Sequence, residues 1–399
     1  MIHTTDGFTA NLFTPTEEHQ MLREQVREFV NNEDMDKQAE EFDQKECLNM
    51  ELFRKVGEEG WFGITIPEED GGLGMDATAA VIIHHELSKS DPGFCLAYLA
   101  HAMLFVNNFY HSANRAQIEQ YLAPTLDGTW VGAMAMTEPN HGTDVLGMTT
   151  TAVRDGDTYI LNGTKTYITN GPEAHIFVIY AKTGGKISSF VVTRDHPGIS
   201  TSHHIPKMGM RTSSMSEVIM ENCVIPAENL LGEEGGGLTH MMRNLEIERL
   251  TLAAMSLGIA DRCLDLMVQY GSERIAFGQP INRFGQIQRF IGEDYAILEA
   301  MRCLIYNEAL NVNPDTNNRV GSDASKLFAA PMAKKIADDC MQVYGGAGYC
   351  REFPIERLLR DAKLLEIGGG TLESHQKNIS KDLSKMFARQ GTLTPSYMK

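Results

Sequence analysis

Apolar positions fall into three textures along the 399 residues. From residue 15 to about 127 they recur every three or four places. Met21, Leu22, Val26, Phe29 and Val30 mark one helix face, and Thr16 can cap that helix with Glu17 and Glu18 in its first turn, where carboxylates suit the helix dipole. Further helices are predicted over 75–90 and 93–111, the second apolar enough to be buried. From about 128 to 234 short β-branched or aromatic runs replace them: Tyr159–Leu161, His175–Ala181 and Ser188–Thr193. Asp155-Gly156, Asn162-Gly163, Asn170-Gly171 and Gly184-Gly185 read as the turns between strands. After Gly235-Gly236-Gly237 the helical period returns over 237–271, 284–311, 322–345 and 371–387, interrupted by a polar loop at 315–321. The pattern predicts an α+β, mostly α fold: an N-terminal helical domain (1–127), a middle β-barrel-like domain (128–234) and a C-terminal four-helix bundle domain (235–399).

Composition narrows the functions. Net charge is −18, with 22% charged and 42% hydrophobic residues, which is ordinary for a globular protein but lacks the basic surface that nucleic acid requires. No run approaches the roughly 20 apolar residues that span a bilayer, so no membrane partner is expected. The seven cysteines are scattered without a CxxC pair, which suits reduced thiols and no metal site. The opening MIHTTDGFTANLF has neither a basic n-region nor an Arg-rich character. The expectation from these features is a cytoplasmic protein.

One polar residue interrupts an apolar stripe. Met241, Leu245, Leu252, Met255 and Ile259 sit at spacings that position 248 completes, and position 248 is Glu. A carboxylate on a core-facing stripe must be paired, protonated or functional, because an unpaired buried charge is costly. Two readings stand at this level: a buried Glu satisfied by Arg249 or a hydroxyl, or a base whose proton affinity is raised by burial. Glu246 and Arg249, facing elsewhere, could be a helical ion pair.

Six segments then fit a known pattern in order and spacing: Met136-Thr137-Glu138-Pro139 through Gly142-Thr143-Asp144, Tyr167-Ile168-Thr169-Asn170-Gly171, Leu245-Glu246-Ile247-Glu248-Arg249-Leu250, Arg274-Ile275-Ala276-Phe277-Gly278, Gln342-Val343-Tyr344-Gly345-Gly346-Ala347-Gly348-Tyr349, and Arg360-Asp361-Ala362-Lys363. Over nearly its whole length the chain resembles the acyl-CoA dehydrogenase family, and within it the isovaleryl-CoA dehydrogenases. The resemblance implies an FAD-dependent conversion of an acyl-CoA to the trans-2-enoyl-CoA. A carboxylate takes the α-proton while the β-hydrogen leaves as hydride to flavin N5.

The resemblance also assigns residues. Most of the family carries its base in a Tyr-Glu-Gly-Thr context, which here reads Gly368-Gly369-Gly370-Thr371, so Gly369 stands where that glutamate would be. The isovaleryl type carries it at the place of Glu248, which becomes the expected catalytic base, with Glu366 as competitor. Gly368 replaces a bulky tyrosine and implies room for a branched acyl group. Met134, Met136 and Thr137 match the strand and turn along the flavin edge; Gly142 and Thr143 match the flavin pyrophosphate and pantetheine region. Tyr167 and Thr169 match an aromatic-x-Thr pair beside the ring. Arg274, Phe277, Gln342 and Gly346 match residues that a second subunit offers to the same FAD, and Thr371 matches one near the pyrophosphate. Arg249 matches an arginine near the CoA moiety, and Glu246 an acidic residue at the pantetheine amide. Bland roles stay open: core methionines, a Gly345-Gly346 helix stop, a surface ion pair for Arg274, a solvent-facing His141, and structural roles for Asp361 and Lys363.

By the same resemblance the partners are the acyl-CoA substrate, electron-transferring flavoprotein as electron acceptor, and further copies of the chain in a homotetramer. A role in leucine catabolism or fatty acid metabolism would follow. The alternatives are altered chemistry on the same fold, or a non-catalytic acyl-CoA-binding protein. A decarboxylating relative would need an extra basic residue in the pocket, which the sequence does not reveal.

Overall fold

The computed structural model describes residues 2–3, 9–312 and 319–393. Of the expected polar loop 315–321, residues 315–318 lie outside the described residues.

Helices precede and follow one sheet. The first group is α1 (Glu17–Asn32), α2 (Met35–Lys45), α3 (Met50–Glu58), α4 (Ala77–Ser90), α5 (Pro92–Leu99), α6 (Asn108–Ser112), α7 (Arg115–Tyr121) and α8 (Ala123–Leu126), with a π-helical stretch, Ala100–Asn107, joining α5 to α6. Thr16 caps α1 by accepting from the His19 backbone N–H, as its position before two glutamates predicts. The last group is α9 (Gly237–Glu273), α10 (Gly285–Ala309), α11 (Val320–Tyr344), α12 (Ile355–Leu365) and α13 (Leu372–Gln390). α12 joins the four helices expected here; it carries the Arg360–Lys363 motif.

The two helical groups form a single body. α4 lies along α9, and one hydrophobic core runs from Leu22 on α1 through Ile83 on α4 and Met255 on α9 to Ile336 on α11. Burying side chains from both ends of the sequence in one core makes the halves interdependent. Polar ties reinforce it: His85 on α4 meets Asp261 on α9 at 3.1 Å, and Arg23 on α1 donates to the Tyr306 hydroxyl on α10 at 2.6 Å.

The short strands β1 (Ile2–His3) and β2 (Thr9–Ala10) pair at the start of the chain. The main sheet contains β3 (Gly132–Ala135), β4 (Thr151–Asp155), β5 (Thr158–Thr169), β6 (Ile176–Thr183), β7 (Lys186–Thr193), β8 (Ile199–Thr201), β9 (Met215–Pro226) and β10 (Leu230–Leu231). Its order is β10-β7-β6-β4-β5-β9-β8, with β3 parallel to β6. A small hairpin, β11 (Ile275–Ala276) and β12 (Gln279–Pro280), follows α9.

Gly184 and Gly185 make the expected β6–β7 turn, both at positive φ. Asn162-Gly163 does not turn the chain. β5 runs straight through it as a bulge, because β9 supplies a ladder along its whole length and the Asn162 side chain accepts from the Asn222 backbone N–H at 2.8 Å. A second register shift, between Lys165 and Ile168, puts Tyr167 at φ 58 and turns its ring outward.

Candidate active site

Glu248 lies in the N-terminal third of the 37-residue α9. The stripe predicted one buried face, but the helix is enclosed on all sides from Glu248 to Asp261, because α4, α10, α11 and α12 all pack on it. Glu246 and Arg249 are therefore buried as well, and they do not pair with each other. Arg249 instead reaches α11, where its Nη1 lies 2.9 Å from Asp323 Oδ1, an ion pair without hydrogen-bond angle.

Glu248 is 5% exposed, and its Oε2 has no hydrogen-bond partner. Burial pushes its carboxyl above the usual glutamate range, while the positive charges of Arg249 and Lys326 pull the other way. Asn244 Nδ2, Glu246 Oε1 and Arg249 Nε on the same helix, and Ser325 Oγ on α11, are also buried without partners. Native interiors satisfy most such atoms, so this concentration marks a place built to meet something else.

The segment facing Glu248 is the glycine turn between α12 and α13. Gly369 has φ 63 and Gly370 φ 94, the left-handed region that glycine tolerates. A Cβ on Gly369 would overlap Leu252 Cδ1 and come 3.3 Å from Glu248 Oε1. Leu252, one turn along α9, thus fills the space a side chain at 369 would need. Gly368 is different: a Cβ there would meet only Leu364, at 3.5 Å, an ordinary contact. Glu366 is held by Lys363, an ion pair at the end of α12.

The turn is anchored by Lys326 on α11, a residue outside the six motif segments. Its ammonium donates to the carbonyls of Gly368 and Gly370 and to His375 Nε2 at 3.2 Å. His375, on α13, gives its other ring nitrogen to Asp323 Oδ1 at 2.6 Å. The signal that could have found Lys326 is the stripe argument again: 326, 330, 333, 337 and 340 are all buried at helical spacing, and one of them is charged. Two basic residues thus lie beside Glu248, Arg249 and Lys326, but each is committed to a neighbour.

The residues matched to FAD divide between two places. Around β3 and β5, Lys165 Nζ donates to the Met136 carbonyl at 3.1 Å, and Thr166 N–H to the Thr137 carbonyl at 2.8 Å, so the two segments are tied together. Glu138 holds the following loop by accepting from the backbone of Thr149 and Thr150 and from Lys165. Met134 is half-buried, within 3.6 Å of the Asn108 amide, and Thr169 is half-buried at the end of β5. Gly142 and Thr143 are exposed, nothing stands within 4 Å of a Cβ on Gly142, and Tyr167 is 64% exposed.

The second place is the β11–β12 end of the bundle. Phe277, at φ 51, is 97% exposed at the hairpin tip. Arg274 is exposed and has no ion pair among the described residues, against its reading as a surface pair. Tyr270 near the end of α9 stacks on Tyr344 at the end of α11, 3.9 Å between centroids. That stacking brings Gln342 and Gly346, both exposed, to the same end of the bundle. Gly345, at φ 60, does end α11. Thr371 caps α13, accepting from the Ser374 N–H at 3.3 Å. These surfaces suit a flavin dinucleotide: unobstructed glycine backbone, outward aromatic rings, and a guanidinium free for pyrophosphate.

Three family domains match in sequence: the acyl-CoA dehydrogenase N-terminal domain over residues 16–129, the middle domain over 133–223 and the C-terminal domain over 235–384. The chain belongs to the acyl-CoA dehydrogenase family. It is an FAD-dependent oxidoreductase that dehydrogenates acyl-CoA. It is 38% identical over 383 residues to the mitochondrial isovaleryl-CoA dehydrogenase of Pongo abelii, covering 93% of this chain and 90% of that one. Butyryl-CoA dehydrogenase from Megasphaera elsdenii has the same fold at TM-score 0.88 and 32% identity, over 95% of this chain and all of that one. An acyl-CoA dehydrogenase complexed with FAD from Bacillus anthracis aligns at TM-score 0.87 and 30% identity, over 94% of this chain and 68% of that one.

Proposed function

We propose that the chain dehydrogenates a short branched acyl-CoA of the isovaleryl type and that Glu248 removes the α-proton. The observation that carries this reading is the exchange at one spot. Glu248 turns Oε1 toward the glycine turn and leaves Oε2 buried without a partner, and Leu252 occupies the space that a side chain at 369 would need.

The chemistry follows from the environment. A thioester acidifies its α-proton, and a carboxylate raised by burial is a stronger base than one in water. FAD supplies the hydride acceptor. The chain's residues bind and orient around that exchange: Thr169 and Tyr167 border the ring, Arg249 and Glu246 take the CoA end, and Gly368 leaves space for a branch beside the reacting carbons. Glu366 is the weaker candidate because Lys363 already holds it. Arg274, Phe277, Gln342 and Gly346 point away from their own chain, which suits a homotetramer in which each cofactor is completed by a neighbour. Electron-transferring flavoprotein is the acceptor this reading implies, leucine breakdown the pathway, and the cytoplasm the location.

Purified Glu248→Gln should retain FAD and lose substrate-driven bleaching of the flavin without oxygen, since an amide cannot accept the proton. Bleaching at the wild-type rate would move the role to Glu366. A dye-reduction screen of acyl-CoA thioesters should favour isovaleryl-CoA; much faster turnover of butyryl- or octanoyl-CoA would sink the substrate assignment.

A further inference from the structure

A lysine side chain with no exposure requires a reason, because its charge loses hydration on burial. Lys326 has three N–H groups when protonated, and three acceptors surround it: the carbonyls of Gly368 and Gly370 and Nε2 of His375. The histidine accepts there in the tautomer that donates Nδ1–H to the buried Asp323; the same Nε2 also lies 3.0 Å from the Gly370 carbonyl, a contact it would make only as a donor. In that tautomer each of the three lysine protons has an acceptor, as an ammonium requires. None goes to Glu248. Yet both head groups face the position of a Cβ on Gly369, Oε1 at 3.3 Å and Nζ at 3.6 Å.

We propose that Lys326 is a positioning residue for proton abstraction: it pins the glycine turn against Glu248 and places beside that carboxylate a positive charge that favours its ionised form without taking up its lone pairs. The inference rests on Glu248 being the base. The titratable and charged groups facing Lys326 are Glu248 and Arg249 on α9, Asp323 on α11 and His375 on α13. Arg249, paired with Asp323, is the other positive charge beside Glu248, and Lys326 adds a second one from the side of the glycine turn. Burial brings the lysine down to about 7, so its charge is itself sensitive to its surroundings.

The sign is fixed by electrostatics. Removing the positive charge raises the proton affinity of Glu248, lowers its ionised fraction at neutral pH, and moves the rise of rate with pH upward. The test compares Lys326→Gln, which can still donate to the turn, with Lys326→Met, which cannot, both as FAD-loaded enzyme. Anaerobic flavin bleaching by isovaleryl-CoA is followed across pH, with FAD content and KM measured alongside.

Both variants should keep flavin and KM and shift the midpoint of the pH profile upward by about one unit or more, lowering the rate on the order of tenfold below the midpoint, with recovery in alkali. An unshifted midpoint in flavin-replete Lys326→Gln overturns the proposal. Loss of flavin from both variants also overturns it, because the lysine would then only hold the fold. Glu248→Gln separates the failures. If it bleaches at the wild-type rate, the base assignment is wrong. If it is silent while Lys326→Gln is unshifted, only the role of Lys326 falls.

Discussion

The N-terminal third of α9 and the hairpin that follows its end are continuous in sequence and opposite in construction. Around Glu248 charged groups are buried, and their partners come from α11, α13 and the glycine turn of the same chain. Around Phe277 an aromatic ring and a guanidinium stand in solvent on a hairpin of two-residue strands, with backbone strain at the tip. The first region draws its protein neighbours from its own chain and keeps several buried polar atoms open. The second makes physical sense only when something else covers it, since a nearly fully exposed Phe at positive φ gains nothing for the isolated fold. A reacting group needs low dielectric and fixed neighbours, whereas a group lent to another subunit needs reach.

Substitutions can separate the two regions. The largest effect is expected for Glu248→Gln, a loss on the order of 10³-fold in the rate of flavin reduction with cofactor retained, read by stopped-flow absorbance. Arg274→Gln should do the reverse: flavin affinity falls by about tenfold or more, from the loss of a charge-assisted contact, while reduction of the flavin that remains is little changed. Titration of the stripped protein with FAD measures this. Equal effects of both variants on both readouts would abolish the distinction.

The pH profile sharpens it further. With Glu248 as the proposed base, abstraction requires its ionised form, and burial raises its carboxyl, so flavin reduction should rise with pH through a midpoint above the usual glutamate range. FAD retention through exposed Arg274 should show no such step. Gly369→Ala should lower thermal stability by about 1–3 kcal/mol, through the overlap with Leu252 and the left-handed backbone. Thermal melts of Gly369→Ala with and without Leu252→Val check whether the leucine is the obstacle. The smallest effect is expected for Gly368→Ala, about 0.5 kcal/mol or less in stability, because its new methyl makes only ordinary contacts. Its consequence should be a lower ratio of isovaleryl-CoA to butyryl-CoA turnover, measured as kcat/KM.

Much of this arrangement was legible in residue order. Helical spacing located α4, α9, α10 and α11, and the diglycine at 184–185 located the β6–β7 hairpin, because these signals are local. Glu248 was legible as an anomaly, a carboxylate where the period demands an apolar residue. The Asn162-Gly163 bulge was misread as a turn because the same dipeptide serves either, and only the presence of β9 alongside β5 decides. Lys326 is legible in the same way as Glu248, as a charge on the buried stripe 326, 330, 333, 337 and 340, but that it meets the glycine turn and His375 depends on the packing of α11 against α13.

The sequence by itself determined the order of helical and strand regions, the family, the cofactor, and that position 248 breaks its own stripe. It did so because period, turn chemistry and motif spacing are properties of neighbouring residues. The tertiary structure alone decided that Arg249 pairs with Asp323 rather than Glu246, that Leu252 fills the space at 369, and that a lysine 78 positions from the glutamate in the sequence stands at the same turn. Those outcomes depend on which helices pack together, and burial sets the charge of each group only after packing has chosen its neighbours.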